Sequence, residues 1–337
     1  MTDRESWCTI VVPTYNGERL VGDLIRSLLV QDLGSYKLLF IDDGSTDRTI
    51  ETIEAYVRGR ARIVRHSKNI GLYATLNAAI DEVCTPYVCL LFQDDWVAAD
   101  YLPEMRAVVE KYPEASFVWS AINTVDSSGE RVTFKGIDTR RVELITPGPA
   151  PWRSAMQRGT FWTISGSVTK TDRIRSLRFD ESLPHCADFE LLLRGLRSDT
   201  FLYFERPLVN IREHAGQAST RNLAESKDII EALEVRREQL RLWRPDVNFA
   251  LRLHLFLHWI DLIFRRAVGQ VRRGHHDQAF RTCGLVLLAA KALFGLSTSV
   301  NDAVVPTGPA VPRAPSSDTT PMRETAPHQQ EPLGRHE

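Results

Sequence analysis

The sequence predicts an α/β fold: a mostly parallel central sheet with helices on both faces, followed by further helices at the C-terminal end. Three observations carry that expectation. Over the first 120 residues, short β-branched runs alternate with stretches of helical period. The strand runs are apolar throughout, as in a sheet covered on both sides. Acidic, turn-forming segments follow them, where open α/β sheets bind ligands.

The elements follow in order. Thr9 to Pro13 is the first strand, and Glu18 to Gln31 a helix with Leu20, Leu24, Ile25, Leu28 and Leu29 at helical spacing. Lys37 to Ile41 is the next strand. Asp47 to Val57 is a helix, with Ser45 or Thr46 as its N-cap. Arg62–Val64 (strand), Gly71–Val83 (helix), Tyr87–Phe92 (strand), Tyr101–Lys111 (helix) and Ser116–Ala121 (strand) complete the alternation. From Asn123 to Arg158 the pattern breaks into a loop-rich insert. Phe161–Lys170 and Phe201–Arg212 read as strands around a helix, Asp188–Leu196. Three helices follow, at Ser226–Leu242, Leu251–Gly269 and Gln278–Gly295. Residues 301–337 hold seven of the 17 prolines and read as a disordered tail. The domain expectation is a catalytic unit over 1–220 (nucleotide half 8–122, acceptor half 123–220), a helical region over 221–300 and the tail.

Composition narrows the function. With 42 Lys+Arg against 43 Asp+Glu, the net charge of -1 argues against a globally basic nucleic-acid binder. The five cysteines include no C-x-x-C pair, which argues against a disulfide framework or zinc ribbon and for reduced thiols in the cytoplasm. The segment Met1–Trp7 has no apolar core, so no signal peptide is expected. The longest apolar run, Gly284 to Ala290, falls far short of the roughly 18 residues of a membrane span. G-x-G-x-x-G after the first strand and G-x-x-x-x-G-K-[ST] are both missing, which removes the usual dinucleotide and P-loop fingerprints.

Four constellations could carry chemistry. Pro13-Thr14-Tyr15-Asn16 offers a hydroxyl, an aromatic face and an amide after a strand. Asp42-Asp43 follows the second strand, where a carboxylate can accept from a base or a ribose hydroxyl; helix capping accounts for Ser45 to Asp47 but not for both acids. Asp94-Asp95 follows an apolar strand, and adjacent acids there call for a cationic partner such as Mg²⁺ or Mn²⁺. Asp188 stands at a helix start, as a general base or simply as an acid favoured by the helix dipole.

In this order, "VVPTYNG", "IDDGSTD", "NIGLYATLNAAI", "QDD", "GSVTKTDRIRSLRFDESLPHCADFELLLRG" and "NIREHAGQAS" resemble the family 2 inverting glycosyltransferases of the GT-A fold, over roughly residues 8 to 220. The resemblance implies a nucleotide-diphosphate-sugar donor with UDP as the default and dTDP or GDP as alternatives. It also implies Mn²⁺ or Mg²⁺ and an acceptor hydroxyl on a glycan or lipid-linked molecule of polysaccharide or glycolipid synthesis. By position it assigns Pro13, Tyr15 and Asn16 to the nucleotide pocket, Asp43 or Asp42 to the base or ribose, and Lys68, Asn69 and Gly71 to the nucleotide's surroundings. Asp94 and Asp95 go to metal and donor phosphate, Asp188 to the base, and Arg212 and His214 to the diphosphate or metal. Two positions depart from the family: Phe92 replaces the first acid of D-x-D-D, and Ala187 the acidic neighbour of the base. These two departures are all that favours the alternative, a degenerate nucleotide-sugar-binding scaffold.

Over 251–291, Arg252, Arg265, Arg266, Arg272, Arg273, Arg281 and Lys291 face only Asp261 and Asp277, with Trp259, Ile260, Ile263 and Phe264 among them. Such a basic, aromatic helix can lie on an anionic membrane, which would place the protein at the inner face of the plasma membrane. A helical pair packed on the domain or on a second subunit is the competing expectation.

Overall fold

The computed structural model describes residues 6–31, 36–126, 131–134, 139–214, 227–242 and 247–294. The expected tail at 301–337 and the Ala215–Ser219 part of the last motif lie outside them. The chain order is β1 (Cys8–Thr14), α1 (Val21–Leu29), β2 (Tyr36–Asp42), α2 (Thr49–Val57), β3 (Arg62–Arg65), α3 (Leu72–Asp81) and β4 (Tyr87–Leu90). Then come β5 (Trp96–Val97), α4 (Tyr101–Lys111), β6 (Ala115–Val125), β7 (Arg131–Phe134), β8 (Val142–Ile145) and α5 (Pro149–Arg158). β9 (Ser167–Lys170), α6 (Thr171–Leu177), α7 (Ala187–Gly195), β10 (Thr200–Arg212), α8 (Lys227–Leu242), α9 (Phe249–Arg272) and α10 (His276–Phe294) complete it.

All these strands join one sheet in the order β3-β2-β1-β4-β9-β6-β10-β5, with β7 on β6 and β8 on β10. Its first four strands are parallel, and so are β6 and β10. β9 runs antiparallel to both β4 and β6 and joins the two parts. The period-2 alternation of strand side chains sends successive residues to opposite faces. Ile10, Val12, Leu38 and Phe40 pack under the α1, α2 and α4 side chains; Val11, Leu39 and Ile41 pack into a second core with α3, α5, α7, α8 and α9. This continuous burial is why the strands read as apolar throughout.

Three local expectations are corrected. The insert is not a run of loops, since it contains β7, β8 and α5. Its helix begins at Pro149 after Gly148, whose φ of 148° suits a residue without Cβ. The run Phe161–Lys170 becomes strand only from Ser167; before it, Gly166 turns the chain at φ 75°. Ser45 and Thr46 do not cap α2, because they are bonded into the site below and the helix starts at Thr49. All five cysteines are free thiols.

Candidate functional site

Strands β1 and β2 end in register at Thr14 and Asp42. Pro13 is buried within β1, paired with Ile41. Asp42 is wholly buried and accepts hydrogen bonds from the Thr14 hydroxyl (3.1 Å) and the Ser45 amide (2.9 Å), with Arg65 Nε at 3.5 Å. Its carboxylate is thus spent on holding the strand end together. Asp43 is also buried, and its amide donates to Thr14 O at 2.8 Å. Its two oxygens accept from Ile70 N (2.8 Å) and Gly71 N (2.9 Å), and His66 Nδ1 lies at 3.3 Å. Charge-assisted bonds of this kind are stronger than neutral ones, so Asp43 pins the 66–71 loop against β2. That loop carries Lys68 and Asn69, both exposed, and ends at Gly71 with φ 96°. It passes so close to Gly44 that a Cβ there would lie 2.7 Å from the Lys68 carbonyl carbon.

Opposite this loop stands the β1–α1 turn. Asn16 adopts a left-handed φ of 47° and its Oδ1 accepts from Thr46 N at 2.9 Å, while its own amide donates to Ser45 Oγ. Asn tolerates this conformation because its short polar side chain bonds locally. Tyr15 is 44% exposed and offers a free aromatic face. The Gln93 amide clamps its backbone from both sides, accepting from Tyr15 N and donating to Tyr15 O, each at 3.0 Å. Sequence reasoning missed Gln93. Its signal was its place between Phe92 and the two acids, at a strand end facing another strand end.

The two acids after β4 part ways. Asp95 is buried; one oxygen accepts from Arg212 N (3.1 Å) and the other from the Ser165 hydroxyl. Burial, then the adjacent Asp94 charge, push its carboxyl well above the usual carboxylate range. Asp94 is half-buried, and its Oδ2 lies 3.2 Å from His214 Nε2. The Arg212 guanidinium donates to Asp94 O (3.2 Å) and Asp23 (2.5 Å) and lies over the Trp96 ring at 4.8 Å. Ser165, Asp23 and Trp96 were also missed; each is an ordinary residue type that only the fold brings near.

Asp188 lies in the first turn of α7, and its Oδ1 accepts from Phe189 N at 2.8 Å. Burial raises its carboxyl above the ordinary range, with backbone hydrogen bonds opposing. Burial, then the nearby Asp188 charge, push the Tyr73 hydroxyl, in the first turn of α3 just after Gly71, well above its ordinary range. The start of α7 thus lies near the start of α3, next to the 66–71 loop. Just before Ala187, Glu231 of α8 accepts from His185 N (2.8 Å) and Cys186 N (3.2 Å), the amides leading into α7.

Residues 9–170 match the profile of Glycosyl transferase family 2. Among curated proteins, the chain is 36% identical over 104 residues to the uncharacterized glycosyltransferase EpsJ of Bacillus subtilis, covering 31% of this chain and 30% of that one. It is 24% identical over 213 residues to the uncharacterized glycosyltransferase RT0329 of Rickettsia typhi, 63% and 65% of the two chains. It is 28% identical over 105 residues to the glycosyltransferase GlyA of Streptococcus pneumoniae, 31% of this chain and 15% of that one. The chain therefore spans less than two thirds of the length of these relatives. Among solved structures, residues 1–349 of S. aureus TarS in complex with UDP-GlcNAc superpose with a TM-score of 0.55 at 13% identity, covering 83% of this chain and 91% of that one. The UDP complex of the same protein gives 0.54 at 14% identity, with the same coverage. Acid pairs at the ends of β2 and β4, an Asp at the start of α7 and these likenesses converge: the chain has the GT-A fold, and its residues 9–170 belong to glycosyl transferase family 2.

Proposed function

We propose that this protein is an inverting glycosyltransferase that moves a hexosyl or deoxyhexosyl group from a nucleoside-diphosphate sugar to an acceptor hydroxyl in the synthesis of a glycan, cell-surface polysaccharide or glycolipid. The observation that carries this reading is convergence in space. The exposed Tyr15 face, the 66–71 loop held by Asp43 and the Asp94–His214 pair stand at neighbouring strand ends, and Tyr73 ties Asp188 to the same cleft. UDP is the first donor to test, since the TarS neighbour is seen with UDP and UDP-GlcNAc.

The donor set suits a divalent cation. Asp94 Oδ2 and His214 Nε2 are close enough to share one, and oxygen with imidazole suits Mn²⁺. Such ions take few protein ligands and complete their shell with phosphate oxygens and water. This agrees with the lack of any cluster of three or more His, Cys, Asp or Glu ligands among the described residues. When bound, the cation would neutralise charge on the leaving diphosphate. Asp95 has both oxygens engaged, so it positions Asp94 and β10 rather than ligating.

The chain's own residues do the rest. Tyr15 stacks the base. Lys68 and Asn69 lie along the nucleotide, and Gly71 leaves room for it, since a Cβ there would meet nothing within 4 Å. Asp188 takes the proton of the acceptor hydroxyl as that oxygen attacks the anomeric carbon from the face opposite the diphosphate, which inverts the centre. Holding the two reactants in line supplies much of the rate. Calorimetry of UDP, dTDP, GDP and CMP, each with and without Mn²⁺, tests the reading. Metal-dependent binding of one nucleoside diphosphate is expected; no binding of any by the folded protein would sink it.

We also place the protein in the cytoplasm against the inner face of the membrane. No described helix is long and apolar enough to cross one. The inner stripe of α9, Leu251, Leu255, Trp259 and Ile263, is buried in the domain core, so Trp259 and Ile263 are not available to lipid. A second stripe, Phe249, Leu253, Leu257 and Phe264, is exposed, and Arg272, Arg273 and Arg281 beyond it are exposed as well. An exposed apolar stripe with basic neighbours fits an anionic surface. The catalytic unit would then include the helical region as a packed layer, because α8 and α9 share its core.

A further inference from the structure

A cavity of about 520 Å³ opens between the middle of β6, β8, β10 and helix α5. That volume is in the range of small-molecule sites. Its wall is aromatic: Trp119 lies 5.9 Å from Phe161 and 5.5 Å from Tyr203, ring centre to ring centre, with the planes tilted by 30° and 38°. Its mouth is polar, with Glu143, Arg158 and Thr160, the first two exposed and free to reach a ligand.

The cavity's lining is connected to the site described above along two routes. Its segment from Gly159 to Thr163 runs directly into Ser165, whose hydroxyl donates to Asp95. Helix α5, which contributes Ser154 and Arg158, packs on α7, the helix that begins at Ala187-Asp188. The cavity's lining thus runs along the chain into the segment that bonds Asp95, and packs through α5 on the helix that carries Asp188.

Resting on the glycosyltransferase reading, we infer that this cavity holds a saccharide unit of the acceptor. A sugar ring has apolar C–H faces and a rim of hydroxyls. The aromatic wall matches the faces, and the carboxylate, guanidinium and hydroxyls at the mouth match the rim. An alkyl chain would match the aromatic wall but make no use of Glu143 and Arg158 at the mouth. The acceptor is thus a glycoside whose ring sits on Tyr203 and Phe161.

The test is saturation-transfer NMR on the full chain, with the methyl and p-nitrophenyl glycosides of glucose, galactose, mannose and N-acetylglucosamine in both anomers. At least one glycoside should give signals from its ring protons. Those signals should fall at least tenfold in Ser154→Trp, which fills the cavity from α5, and in Tyr203→Ala, which removes one wall. Melting curves confirm folding, and UDP affinity measured by calorimetry should be unchanged in both variants. Silence of the whole panel with the wild-type protein overturns the inference. So does binding undiminished in both variants, or signals confined to the nitrophenyl ring, which would assign the cavity to a non-sugar ligand. Failure of the wild-type protein to bind any of UDP, dTDP, GDP or CMP would instead sink the donor reading and leave a saccharide result standing.

Discussion

Asp95 and Arg212 are 117 residues apart in the chain and one hydrogen bond apart in space, Arg212 N donating to Asp95 Oδ1 at 3.1 Å. That bond, with the Ser165 hydroxyl on the other oxygen, fastens the end of β10 to the β4–β5 loop. It sets His214 beside Asp94. One acid of the pair is consumed so that the other can be presented.

The two acids should therefore separate by mutation. Asp95→Ala leaves a buried hydroxyl and a buried amide without their acceptor, at about 1–3 kcal/mol each when truly orphaned. Urea unfolding should show a loss of about 2–6 kcal/mol for the two together. Asp94→Ala should leave the unfolding midpoint nearly unchanged and remove the Mn²⁺ dependence of nucleotide binding. Equal stability losses in the two variants would show the division of labour to be wrong.

Gly17 and Gln93 form a second coupled pair. A Cβ at Gly17 would lie 2.2 Å from Gln93 Oε1, so the side chain that clamps Tyr15 must swing away. Gly17→Ala and Gln93→Ala should each weaken nucleotide binding several-fold, and the double variant no more than either. A double-mutant cycle read by calorimetry checks it; simple additivity would sink the clamp.

Asp188 should reveal itself by pH. As a base it must be ionised, and burial raises its pKa, so the acid limb of transfer activity should lie above the range of a free carboxylate. The sign for stability is opposite. A carboxyl raised in the folded state stabilises fully below its unfolded pKa, and that contribution is lost as pH rises through the folded value. Asp188→Asn should thus abolish transfer yet be at least as stable as wild type at pH 7, by calorimetric melting. A variant with near-normal turnover removes Asp188 from the role.

Glu231 bears on the start of the helix that carries Asp188, from another element. It accepts the His185 and Cys186 amides from α8 and so fixes where α7 begins. Glu231→Ala should lower kcat about tenfold, the rate equivalent of ~1.4 kcal/mol, while the KM for donor stays put. A fall in donor affinity of the same size would mark a general structural role instead.

The outer stripe of α9 can be tested alone. Leu257→Asp with Phe264→Asp alters only exposed positions, so melting should be unchanged. Flotation with vesicles containing anionic lipid should be lost. Wild-type protein that fails to float would remove the membrane contact.

Strand and helix periodicities were legible because β1, β2 and β4 are buried on both faces and α1, α3 and α4 on one. The insert was not, because β8 is a four-residue strand with two exposed positions, too short to show a period. The acids were legible as chemistry, since paired carboxylates after apolar strands are costly without partners. The supporting residues were not: Ser165 on Asp95, Gln93 on Tyr15 and Glu231 on the amides before α7 are ordinary residue types, and nothing local marks them.

The sequence by itself determined the kind of fold and the roster of chemical groups, because periodicity and the placing of acids at strand ends are local properties. The tertiary structure alone decided what each group touches. It turned Asp42 and Asp95 inward as anchors and set Asp94 beside His214. It also brought Glu231 from another helix to the amides leading into α7 and shaped an aromatic cavity from β6, β10 and α5. Hydrogen bonds and burial act across space between residues dozens of positions apart, and no local pattern encodes which of two neighbouring carboxylates will be spent on the frame.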